Sequence, residues 1–113
     1  MGRDLAFLCR IYVNGWSTTP RSISLDESSA LLIESNGTAT VTGTGKAYFL
    51  KASSAPQVCS DKTPLTYTNV GVNRVGPGGS FNLTTWSGTG ATSYNVSANA
   101  GVLSSTLGNG DIY

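Results

Sequence analysis

Turn-forming residues interrupt this chain about every 8–12 residues, and the segments between them alternate apolar with polar side chains. Asn14-Gly15, Asn36-Gly37, Gly43-Thr44-Gly45, Gly76-Pro77-Gly78-Gly79, Gly88-Thr89-Gly90 and Asn99-Ala100-Gly101 are the clearest interruptions. Spacing of this kind leaves room for short strands but little for long helices. Period-two alternation puts one face of each strand into a core and the other outside.

Read along the chain, 5–13 alternates as a long strand: Leu5, Phe7, Cys9, Ile11 and Val13 fall on one face, Ala6, Leu8, Arg10 and Tyr12 on the other. Asn14-Gly15 then reads as a tight turn. Residues 30–42 read as a hairpin closed by Asn36-Gly37, and 46–51 as a further strand. A short strand is expected at Val58 and Cys59, and one kinked at Gly71 over 65–75. Strands over 80–86, 92–98 and 102–105 complete the count. The expected fold is all-β: an antiparallel β-sandwich, Ig-like or jelly-roll-like, of about eight to ten short strands. At 113 residues the whole chain, 1–113, is read as one sandwich domain with a minor break at 76–79.

Chemistry is limited by what the residues can do. There is no histidine, and only 12% of the chain is charged. Proton transfer and metal binding lean on His, Cys and grouped carboxylates, so an enzyme and a metal or other cofactor are not expected. Of the six acids only Asp26 and Glu27 adjoin, and strand neighbours point to opposite faces, which does not suit a glycosidase pair. Calcium held by Asp26, Glu27 or Asp61 with turn carbonyls lacks the spaced acids of a calcium loop. The many hydroxyls have no histidine base, and Gly76-Pro77-Gly78-Gly79-Ser80 lacks the Gly-Lys-Ser/Thr ending of a phosphate loop. A net charge of +1 provides no field for nucleic acid, which is not an expected partner.

No run of about 20 apolar residues exists to span a membrane. Asp4 and Arg10 break up any leader-like pattern at residues 1–10, so the chain reads as made in the cytoplasm without a signal peptide. Cys9 and Cys59 read first as two small buried apolar residues in strands, with a disulfide between them as the alternative. The aromatic residues hold the strongest claim to a function. Trp16, Trp86, Tyr12, Tyr48 and Tyr94 are binding or interface candidates, joined by Arg10 as an interface cation.

Val75-Gly76-Pro77-Gly78-Gly79-Ser80-Phe81-Asn82-Leu83, followed by Gly88-Thr89-Gly90-Ala91-Thr92-Ser93-Tyr94-Asn95-Val96, resembles the strand–turn–strand run of bacterial and phage immunoglobulin-like modules. The resemblance covers residues 75–113. It stops short of the antibody disulfide framework, since Gln57 and not Tyr stands two residues before Cys59. It implies a non-catalytic module displayed on virions or cell exteriors. The concrete expectation is a virion component (capsid decoration, spike or tail protein) that forms a homo-oligomer and meets other virion or surface proteins. The alternative is a carbohydrate-binding module that stacks a glycan on exposed Trp and Tyr.

Overall fold

A computed structural model describes residues 1–113. It contains one helix, α1 (Gly2–Val13), and nine strands. The strands are β1 (Arg21–Leu25), β2 (Ser29–Ile33), β3 (Thr38–Gly43), β4 (Ala47–Lys51), β5 (Tyr67–Val75), β6 (Ser80–Asn82), β7 (Ser87–Thr89), β8 (Thr92–Asn99) and β9 (Val102–Ser105). They form a five-stranded sheet in the order β1-β4-β5-β8-β9 and a four-stranded sheet in the order β2-β3-β6-β7. The all-β expectation therefore describes the chain, with one element corrected.

That element is the expected strand over 5–13, which is helical. Leu5, Leu8, Cys9 and Tyr12 stand at i, i+3, i+4 and i+7, so the same residues that alternate also make one helical stripe. The stripe wins: Leu5, Leu8 and Cys9 are buried, whereas Phe7 is 61% exposed. Full burial of Leu5 and Leu8 is worth about 1.5–3 kcal/mol each. Asp4 in the first turn and Arg10 in the last complement the helix dipole. Asn14-Gly15 ends this helix and closes no hairpin. Gly15 takes φ +75°, its N–H donates to the Tyr12 carbonyl, and the Trp16 N–H donates to the Ile11 carbonyl, the paired bonds of a Schellman cap.

The chain divides into two compact units. The first comprises Met1–Ser22, Leu50–Val72 and Tyr94–Tyr113. Within it the Ser22 hydroxyl donates to the Asp4 carboxylate at 2.7 Å, and the Ala52 N–H donates to the Pro20 carbonyl at 3.0 Å. Tyr67, Val70, Val72, Val96 and Ala98 are buried there. β8 and β9 form a hairpin with Asn99 opposite Val102. Its two turn residues, Ala100 and Gly101, both take positive φ, as the tight turn that suits strand twist requires. The Tyr94 hydroxyl donates to the Ile112 carbonyl at 2.8 Å and holds the last residues of the chain.

The second unit comprises Ile23–Phe49 and Asn73–Ser93. Its β2–β3 hairpin has Leu31 opposite Val41 and Ile33 opposite Ala39. The core is Val41, Ala47, Phe49, Val75 and Phe81, with Leu31, Leu83, Trp86 and Ala91 packed against it. Within this unit Phe49 of the five-stranded sheet stacks on Phe81 of the four-stranded sheet, an apolar contact of the kind that joins sheets in a sandwich.

Three smaller expectations are corrected. Val58 forms only an isolated bridge with Thr66 and no strand runs through Cys59. The strand expected over 80–86 stops at Asn82, whose side-chain carbonyl accepts the N–H of Thr84 and of Thr85 and turns the chain. The turn expected at 88–90 is partly strand, because β7 runs through Thr89.

Candidate functional site

The residues singled out in the sequence do not converge on one site. Tyr48 and Tyr94 are buried. The Tyr48 hydroxyl donates to the Asp26 carboxylate, which also accepts the Lys46 N–H at 2.9 Å, so Asp26 fastens a turn. Trp86 lies edge-on to Phe81 and Phe49, with ring centroids 5.2 and 6.1 Å away. Its ring belongs to the core of the second unit and is not an open platform. Tyr12 is half-buried on α1, and Arg10 is exposed. Trp16, directly after the helix cap, is 75% exposed.

Cys9 and Cys59 are joined by a disulfide with 6.1 Å between their α-carbons. It ties α1 to the irregular segment 52–66. Beside it lies an open cavity of about 130 Å³ bordered by Cys9, Arg10, Cys59, Ser60, Thr63 and Leu65. Among the residues bordering this cavity Arg10 alone carries charge. Elsewhere in the first unit, burial raises the Tyr67 phenol above its ordinary value, with Tyr12 adding in the same direction. The Tyr67 hydroxyl donates to the Ser54 carbonyl at 2.9 Å.

In the second unit a groove of about 340 Å³ runs along β6 and β7. Thr38, Ser80, Asn82, Thr85, Ser87 and Thr89 line it with five hydroxyls and a carboxamide, and no charged residue takes part. The register places Ser80 opposite Thr89 and Asn82 opposite Ser87.

The least expected surfaces are two of the four edge strands, β1 and β2. β1 ends the five-stranded sheet and β2 ends the four-stranded one. On β1, Ile23 and Leu25 are exposed while Ser22 and Ser24 are the more covered positions. On β2, Leu32 and Ile33 are each 58% exposed. The Glu34 N–H donates to the Thr38 carbonyl and the Thr44 N–H to the Ser28 carbonyl. Antiparallel pairing alternates, so even-numbered residues of β2 face β3 while Ser29, Leu31 and Ile33 turn their backbone groups to the free edge. β2 contains no lysine, proline or other residue that commonly protects an edge. Sequence reasoning missed this surface because apolar residues in strands read as buried.

No three acidic, thiol or imidazole side chains converge as a metal site. No helix is long and apolar enough to cross a membrane. Comparison with known proteins finds no family model, no curated protein and no solved structure that matches the chain.

Proposed function

We propose that this chain is a non-catalytic assembly module that joins further copies of itself through the β1 and β2 edges. One observation supports this above the rest: these two edge strands, β1 and β2, leave large apolar side chains exposed. Ile23, Leu25, Leu32 and Ile33 stand in water in the single chain. The β2 edge, uncharged and unprotected, is a template for another strand. The occupant that fits is a second copy. Two β2 strands paired antiparallel about Leu31 bring Ser29 opposite Ile33 and leave no like charges opposed over Ser29–Ile33. The finer form of the proposal is a virion surface or tail component, which rests on the resemblance of residues 75–113 to phage immunoglobulin-like modules.

Backbone hydrogen exchange tests the assembly. The amides of Ser29, Leu31 and Ile33 should be slow to exchange in concentrated protein and fast in the Ile33→Lys variant. Fast exchange in both would remove the support for pairing at this edge.

A second reading is binding of a neutral glycan, favoured separately by the exposed Trp16 indole in the first unit and by the uncharged hydroxyl groove in the second. Loss of oligosaccharide binding in Trp16→Ala or Thr89→Lys, with folding intact, would support it. Absence of binding by the wild-type chain to a panel of neutral oligosaccharides would end it.

A further inference from the structure

The cavity beside the disulfide brings together groups that neither reading of function uses. We propose that Cys59 is a modification site for small anionic thiols, which enter this cavity and exchange with the Cys9–Cys59 bond. Thiol–disulfide exchange needs a path to one sulfur, a thiolate to attack it and a leaving thiolate that is stabilised. Cys9 is buried on the helix, whereas Cys59 is partly exposed in an irregular segment, so Cys59 is the sulfur within reach. Arg10 borders the same cavity and favours negative charge on both the attacking and the departing sulfur. Ser60 and Thr63 add hydroxyls that can bond a carboxylate. Asp61 and Lys62 belong to the same loop, and neither borders the cavity.

The step balances as follows. A thiolate attacks Cys59 Sγ, and the bond to Cys9 Sγ breaks with its electron pair leaving on Cys9, which takes a proton from water. The product is a mixed disulfide on Cys59. A second thiolate attacks the external sulfur of that mixed disulfide and releases the Cys59 thiolate. Two external thiols are thereby oxidised to one disulfide while the protein disulfide is reduced. The covalent tie between α1 and the segment 52–66 opens.

The test treats the folded full chain with reduced glutathione, an anionic thiol, or cysteamine, a cationic one, and follows intact mass and peptide mapping. A glutathione adduct should form on Cys59 and not on Cys9. Arg10→Gln should slow the glutathione reaction about threefold, the scale of an exposed ion pair, without slowing cysteamine. Arg10→Lys should restore the glutathione rate. Near-UV circular dichroism of both variants checks that the fold is kept. An adduct on Cys9, equal slowing of both thiols, or no reaction short of denaturation would overturn the proposal.

Discussion

The rings of Phe49 and Phe81 lie face to face, 4.0 Å apart and 14° from parallel. Trp86 closes against both rings at nearly a right angle. Three aromatic residues from distant points in the sequence thus form the centre of the second unit. Phe81→Ala should remove about 3–5 kcal/mol of stability, read from the midpoint of urea unfolding. A loss below about 1 kcal/mol would mean that the ring pair is not central to the core.

Gly88 stands opposite Phe81 across β6 and β7. A Cβ there would come within 2.8 Å of the Phe81 ring and 3.0 Å of the Ser80 carbonyl. Gly88→Ala should therefore cost about 1–3 kcal/mol by overpacking. Gly108→Ala is the control, because nothing lies within 4 Å of its added methyl. It should stay within about 0.5 kcal/mol of the wild type. Equal thermal stability of the two variants would contradict the close approach.

The disulfide closes a sequence separation of 50 residues. On the chain-entropy account a loop of that length is worth about 4 kcal/mol. The double variant Cys9→Ala/Cys59→Ala should fall by that order in chemical unfolding, and the loss should match that of the wild type under reducing denaturation.

Tyr67 holds its proton more tightly folded than unfolded, chiefly because of burial. Above pH about 10 the unfolded chain loses this proton first. The contribution is thus complete below pH 10 and declines as pH rises through the higher folded value. Stability should fall with pH above about 10, and Tyr67→Phe should flatten part of that slope. An unchanged slope would assign the alkaline loss to other groups.

The hairpins were legible because their turns carry local chemistry. Asn36-Gly37 marks the β2–β3 connection, and Asn99-Ala100-Gly101 the β8–β9 connection. The helix was not legible because Leu5, Phe7, Cys9 and Ile11 satisfy period two while Leu5, Leu8, Cys9 and Tyr12 satisfy period 3.6. Asn14-Gly15 added to the misreading, since the same dipeptide serves a hairpin or a helix cap. Nothing local distinguishes Trp86, which packs on two phenylalanines, from Trp16, which stands in water. Likewise, Ile23, Leu25, Leu32 and Ile33 look like core residues until the strand order places them on edges. Burial depends on which strands flank a residue, and flanking is a property of the whole fold.

Light scattering of the purified chain across a wide concentration range tests the assembly account most directly. The account predicts a mass that rises to a multiple of the single chain, and a single-chain mass for the Leu32→Lys/Ile33→Lys variant with unchanged circular dichroism. A wild-type chain that stays monomeric at the highest concentration, or a variant that assembles as the wild type does, would contradict it.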